Sequence, residues 1–357
     1  MEEFLFNNNN VFQVIDAIIY LFYIITAIYL IFFTIASLLS KRKEYPEAEK
    51  KEKIAVLLFI YNADYIPQNA IKSFLEQNYP SDKFHFFVIA NKLSSFSLSE
   101  LDRLQTEYIT FNEVKTLSEL LKNGVEYIDN IGYNFVVILD SDTKVAKDYL
   151  NKINNALYAG CDVIQTHKKD QEHHSLLGIL NLISNEINNS IFRKGHCKIS
   201  LSSALFGTGM VFSINALKEC LTEKNNIIGI NKRFEKILLK KNYYIEYLNE
   251  VITYTIRPKN IKYFKTKREG YKYSMFSSIS SLFELPLALF NNNIDYSNKL
   301  FQWTLPPRII LILTIVIFGA IATYVDFFTG LKWWILLIFI ILTFLMAIPK
   351  NIFKNKE

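Results

Sequence analysis

Residues 17–39 contain no charged side chain. As an α-helix this run rises about 34 Å, at ~1.5 Å per residue, enough to cross the roughly 30 Å hydrocarbon core of a bilayer. No other feature restricts the fold as strongly, because so long an apolar helix must be surrounded by lipid or by other helices. Two further apolar runs, 309–325 and 333–348, lie back to back near the C-terminus, and "DFFTGLK" between them is too short to hold a domain. Trp333 and Trp334 fall where an aromatic belt sits at a membrane surface. Residues 275–291 are apolar but too short and interrupted to cross, so they are expected to lie along the interface. The predicted division is a polar tail (1–10), a span (11–40), a long globular stretch (41–274), an interfacial segment (275–306), two spans (307–325 and 331–349) and a tail (350–357).

The basic residues set an orientation. Lys41, Arg42 and Lys43 follow the first span, Arg308 begins the second, and Lys350, Lys354 and Lys356 follow the third. Cytosolic flanks carry the excess of Lys and Arg. All three clusters predict an outside N-terminus, a cytosolic 41–274 and a cytosolic C-terminus, in a multi-pass protein of the plasma (bacterial inner) membrane. Glu2 and Glu3 precede the first run where a cleavable signal would carry positive charge. The net charge of +6 comes largely from lysines spread along the chain or beside apolar stretches. It points to membrane topology and lipid contact, and away from nucleic acid. Cys161, Cys197 and Cys220 show no CxxC spacing, so a reducing compartment and no zinc site are expected.

Within 50–260, apolar runs at 53–60, 84–90, 135–140, 162–167 and 209–214 read as strands. Helical periods fall near 66–77, 116–128, 145–158, 175–190 and 231–241. Such alternation predicts an α/β domain with a mostly parallel sheet, whose ligands bind beyond the carboxyl ends of the strands. The strand "FVVILD" ends at Asp140, and Asp142 follows after one residue. Two like charges so close either begin a turn and cap the next helix, or share a divalent cation.

Four ordered blocks bear on that choice. "KIAVLLFIYNAD" leads through a helix to "EQNYPSDKFHFFVIAN"; "VVILDSDTKVAKDYL" continues to "DVIQTH"; "ALFGTGMVFSINAL" and "KNYYIEYLNEVITY" follow. Over roughly 50–275 the chain resembles the membrane-bound family 2 glycosyltransferases, of the cellulose synthase and poly-N-acetylglucosamine synthase-like group. The resemblance implies a cytosolic GT-A domain, Rossmann-like, carried by one N-terminal and two C-terminal membrane helices. It implies transfer of a hexosyl or N-acetylhexosaminyl group from a nucleotide sugar, UDP-linked by expectation, to a glycan or lipid-linked acceptor. It implies Asp142 as ligand of Mg²⁺ or Mn²⁺, with Asp140 beside the metal and the nucleotide sugar. It places Tyr61, Asn62, Asn91, Lys115, Gln165, Gly207, Thr208 and Gly209 around the substrates.

The departures are informative. Where the family carries base-contacting aspartates after the second strand, this chain has Asn91, whose amide still pairs with a uracil edge. The family's base aspartate falls on Asn231, and an amide cannot take a proton. Asn231 then reads as a helix N-cap, and Glu223 is a stand-in base lying seven residues too early. The last family motif is reduced to Arg268 and Tyr271, with Lys265, Lys267 and Lys272 nearby; a basic juxtamembrane helix accounts for these equally well. His167, Glu172, His173 and His174 have no familiar metal-ligand spacing. Two alternatives stay open: a degenerate transferase acting as scaffold for another membrane protein, and a single-sugar transferase to a polyprenyl or other lipid phosphate, whose ionised acceptor needs little base; a partner membrane protein or a homo-oligomer is compatible with each reading.

Overall fold

The structure is a computed structural model that describes residues 2–40, 44–60, 66, 68–91, 93–111, 113–114, 116–140, 143–170, 176–222, 230–255, 281–350 and 352. The chain forms two compact units. One comprises Met1–Ser40, Glu186–Ile199 and Thr304–Glu357; the other Lys41–Asn185 and Ser200–Trp303.

The second unit is built on an eight-stranded sheet. Its strands are β1 (Ile54–Ile60), β2 (Phe84–Ala90), β3 (Glu107–Thr110), β4 (Phe135–Asp140), β5 (Thr143–Val145), β6 (Val163–Asp170), β7 (Met210–Ser213) and β8 (Ile245–Thr255), in spatial order β3-β2-β1-β4-β7-β6-β8-β5. Every residue of β1 is buried, as the continuous apolar run requires of a strand covered on both faces. Alternate residues face opposite layers. Ile54, Val56 and Leu58 meet Ile71 and Phe74 of α2 (Gln68–Leu75) and Tyr149, Leu150 and Ile153 of α5 (Tyr149–Tyr158). Ala55, Leu57 and Phe59 meet Leu120, Leu121 and Val125 of α4 (Leu117–Asp129) and Phe234 and Leu238 of α9 (Ile230–Lys240). The five strands read from the sequence are present, and α6 (Leu176–Asn189) fills the helical period near 175–190; β3, β5, β8 and the helices α3 (Ser95–Arg103), α7 (His196–Lys198) and α8 (Ile214–Thr222) are additions.

The sheet is mixed rather than mostly parallel. β3, β2, β1 and β4 run parallel, β7 is antiparallel to both β4 and β6, and β5 is antiparallel to β8. Inserting β7 reverses direction twice, so β6 runs the same way as β4, and β8 pairs with β6 in parallel. The carboxyl ends of β1, β4, β6 and β8 therefore open on one edge, and Asp140 lies there. Helices 281–290 and Ile294–Thr304 complete this unit; Tyr296, Leu300 and Trp303 pack with Leu239 and Ala288.

The first unit holds three helices long and apolar enough to cross a membrane: Phe12–Leu38 within α1 (Glu2–Leu38), Arg308–Val325 and Phe327–Ala347. The latter two are joined by Asp326 alone. Trp333 is not a belt residue turned to lipid. It is fully buried, its indole N–H donating to Asp16 Oδ1 (2.7 Å), with Lys332 paired to the other carboxylate oxygen. Among apolar helices an indole N–H is best satisfied by a neighbouring helix, and that draws the ring inward. Glu186–Ile199, read from the sequence as part of the globular stretch, belongs here: Ser190 Oγ donates to the Ala347 carbonyl (2.6 Å), and His196 stacks on Phe33 at 3.7 Å.

Candidate active site

Asp140 ends β4, half-buried, and its backbone N–H donates to Thr208 Oγ1 (3.1 Å). The same hydroxyl meets Thr143 Oγ1 at 2.8 Å. One threonine thus holds the last residue of β4 and the first residue of β5. The placement of residues 141–142, Asp142 among them, lies outside the described residues.

Thr208 is held in turn. The segment Leu205–Gly209 connects toward β7, and every one of its backbone N–H groups has an acceptor. Leu205 N–H goes to Glu235 Oε1 (2.7 Å), Phe206 N–H to Gln165 Oε1 (2.8 Å), Gly207 N–H to Asn231 Oδ1 (3.2 Å), Thr208 N–H to the Phe206 carbonyl (2.6 Å) and Gly209 N–H to the Ile138 carbonyl (2.9 Å). Gln165 also donates to the Thr208 and Thr166 carbonyls (3.0 Å each). A segment so fully bonded is rigid, because each freed N–H would be a desolvated donor. Gly207 and Gly209 take φ of +65° and +70°, where a side chain is strained. At Gly209 there is no room either: a Cβ would overlap Thr166 Oγ1 and approach Thr253 Oγ1 to 2.6 Å. Those hydroxyls bond each other (2.6 Å) above Tyr149, whose phenol burial pushes up.

The sequence-predicted residues sort accordingly. Asp140, Gly207 and Asn231 come together: a Cβ on Gly207 would lie 3.8 Å from Asp140 Oδ2 and 4.0 Å from Asn231 Nδ2. Asn231 is not the N-cap of its helix. α9 begins at Ile230, and the Asn231 side chain reaches across to accept from the Gly207 N–H instead. Gln165 and Thr208 are fully buried and position the loop. Asn91 is buried at the carboxyl end of β2, its N–H bonded to the Ile60 carbonyl (3.2 Å), on the edge where Asp140 lies. Tyr61, Asn62, Lys115, Glu223, Arg268, Tyr271, His173 and His174 lie outside the described residues. His167 meets Asn249 Oδ1 at 3.3 Å.

Two participants were not foreseen. Glu235 is buried and bonds Leu205 N–H and Trp303 Nε1 (2.9 Å). Its spacing of four from Asn231 puts both on one helix face, a signal the sequence carried. Lys168 is buried near the end of β6 with its ammonium 4.5 Å from the centre of the Phe206 ring. Burial lowers the Lys232 pKa, an effect partly countered by Glu235.

Among the described residues no three His, Cys, Asp or Glu side chains converge on a metal-sized space. The chemistry of the site still fits a hard divalent ion. Gly207 carries no side chain to fill the space before Asp140 Oδ2, and a carboxylate pair two residues apart in the sequence would supply the oxygen donors that Mg²⁺ and Mn²⁺ take.

Residues 135–348 match the family described as "Glycosyl transferase family group 2". None of the curated proteins matches the chain in sequence. Among solved structures, the mannosyltransferase PcManGT from Pyrobaculum calidifontis, in complex with GDP-Man and Mn²⁺, is similar at TM-score 0.59 and 13% identity over 96% of this chain and 99% of that one. TarS from S. aureus aligns at TM-score 0.41 and 16% identity, over 68% of this chain and 43% of its own.

Proposed function

Because this chain belongs to glycosyl transferase family group 2 and has a GT-A fold, we propose that it moves a hexosyl or N-acetylhexosaminyl group from a UDP-linked sugar to a glycan or lipid-linked acceptor at the cytosolic face of the plasma membrane. The observation that carries this reading is the fully bonded Leu205–Gly209 segment, which fixes Asp140 beside a cleared space bordered by Asn231. A silent scaffold has no need of that preorganisation; a transferase does, because positioning and electrostatics do most of the work when a diphosphate departs.

Asp140 and Asp142 would hold Mg²⁺ or Mn²⁺, which when bound neutralises charge developing on the leaving diphosphate. The protein's part is geometric. Thr208 sets the height of Asp140, Gly207 leaves the anomeric carbon room to approach, and Asn91 offers an amide to a uracil edge. The acceptor enters from the Gly207–Asn231 side. A second copy or a membrane partner would supply any path for a long product.

Calorimetric titration of the purified protein with UDP and GDP, with and without Mn²⁺, tests this. Metal-dependent UDP binding that Asp142→Ala abolishes without loss of fold is expected. Binding that ignores both the metal and the substitution would return the carboxylate pair to a capping role.

A further inference from the structure

We infer, on the transferase reading above, that the helix Ile294–Thr304 sets the acceptor side of the site, with Asp295, Lys299 and Trp303 as its positioning residues.

These three recur every four residues, which lines them up along one face of the helix. All three act on the approach to the Leu205–Gly209 segment. Asp295 Oδ1 accepts the Ser202 N–H (2.9 Å), and Lys299 Nζ donates to the Ser202 carbonyl (3.2 Å). Ser202 is thus held at its N–H and at its carbonyl by side chains of opposite charge, one turn apart. Trp303 Nε1 donates to Glu235 Oε2 (2.9 Å), and the other oxygen of that carboxylate takes the Leu205 N–H (2.7 Å). One helix face therefore holds both ends of Ser202–Leu205.

Apolar packing alone would seat this helix, and Tyr296 and Leu300 already provide it against Leu239 and Ala288. Lys299 is fully buried all the same, and a buried lysine gives up its hydration. What such polar contacts add over apolar ones is direction, because a hydrogen bond weakens steeply as its length and angle depart from the ideal.

The rest of the segment is held from elsewhere. Phe206 bonds Gln165 of β6, Gly207 bonds Asn231, and Thr208 holds Asp140. Loss of the helix contacts would loosen Ser202–Leu205 and let Gly207 shift, while Asp140 keeps its own bond to Thr208. A misplacement of about 1 Å can slow a reaction about a hundredfold even when it starts far from the chemistry. The signature of this role is a split: slower transfer with nucleotide binding retained.

The test uses the full chain in lipid nanodiscs with Mn²⁺ and radiolabelled UDP- and GDP-sugars. Calorimetry gives nucleotide affinity, and release of free sugar, with water as acceptor, gives turnover. Lys299→Met and Trp303→Phe should each lower kcat about ten- to a hundredfold and leave the nucleotide Kd unchanged. Asp295→Ala should do the same. Asp295→Asn keeps an acceptor oxygen for the Ser202 N–H and should recover most of that loss. A second readout is the fluorine spectrum of the unsubstituted chain carrying 5-fluorotryptophan at its three tryptophans. The resonances are assigned with Trp303→Phe, Trp333→Phe and Trp334→Phe, and Mg²⁺ replaces Mn²⁺. Addition of the nucleotide sugar should move the Trp303 resonance, which a contact of structural importance alone would not do. Unchanged turnover in Lys299→Met and Trp303→Phe, a loss of nucleotide affinity that parallels the loss of turnover, or a Trp303 resonance indifferent to the nucleotide sugar would each overturn the inference. Where a variant fails to fold or sugar release is too slow to follow, the resonance decides. Absence of nucleotide binding by the unsubstituted chain would instead sink the transferase reading.

Discussion

Single residues in this protein act through what they hold. Thr208 is the clearest case, since one hydroxyl holds both Asp140 at the end of β4 and Thr143 at the start of β5. Gly209 allows Thr208 to be there. Gly209→Ala would place a methyl group on Thr166 and Thr253 at a φ of +70°. Overpacking and backbone strain together should cost about 3 kcal/mol or more. Gly160 supplies the control: its φ is +93° but a Cβ there meets nothing within 4 Å. Gly160→Ala should therefore cost only the conformational part, about 1 kcal/mol. Thermal unfolding of the two variants in detergent separates strain from overlap; equal losses would refute the packing argument. The presence of Asp140, Gly207 and Asn231 at one site was legible from motif order. Lys168 was not, and Glu235 only through its spacing of four from Asn231, because a charged residue in a helical or strand pattern reads as solvent-facing until its neighbours are known.

At the scale of elements, α9 organises the second unit. Its buried face carries Asn231 and Glu235 to the 205–207 segment, while Lys236 and Lys240 grip Glu284 from the adjoining helical segment. Tyr296 also donates to Glu284 (2.7 Å). Burial alone would raise this carboxyl's pKa, but these three donors outweigh it and bring it to about 2. A carboxyl depressed in the folded state stabilises above its unfolded value, near 4.3, and loses that contribution as pH falls toward 2. Glu284→Gln should therefore lower the melting temperature at pH 7, and the gap should narrow steadily between pH 4.5 and 3. A gap independent of pH would mean that the charge of Glu284 is not what holds this contact. Strands β3 and β5 escaped notice in the sequence for a related reason. β3 has no fully buried residue and β5 only three residues, too few for a period to show.

For the whole molecule, the three apolar helices and their flanking charges make one topology testable. With the proposed cytosolic positions of residues 41–43 and Lys350, the Asp326–Thr329 turn should face outside. Thr329→Cys preserves the backbone bond from residue 329 to Asp326 Oδ2 (2.7 Å), so the turn should survive the change. In intact cells an impermeant maleimide should label this cysteine, while Cys161 and Cys197 stay unlabelled until permeabilisation. Labelling of position 329 only after permeabilisation would invert the topology. The helical unit also contains an element hydropathy does not reveal. Glu186–Ile199 includes Arg193, Lys194, His196 and Lys198, and it satisfies polar groups both within itself, Arg193 to Asn189 Oδ1 (2.7 Å) and His196 Nδ1 to the Ile191 carbonyl (2.8 Å), and on another helix of the unit, His196 Nε2 to the Tyr29 hydroxyl (2.9 Å).

What the amino-acid order determined alone is whatever depends on local pattern. The long charge-free runs demanded helices of membrane length, the apolar runs in 50–260 demanded covered strands, and motif spacing placed Asp140 at a strand's carboxyl end. What only the tertiary structure decided is whatever depends on a partner distant in sequence. The reversal at β7, the inward turn of Trp333 onto Asp16 and the amide orientation of Asn231 are each set by a hydrogen bond between residues far apart in the chain. Such a bond fixes a side chain only once the fold has removed water as the competing partner, and no local pattern records which group will then be nearest.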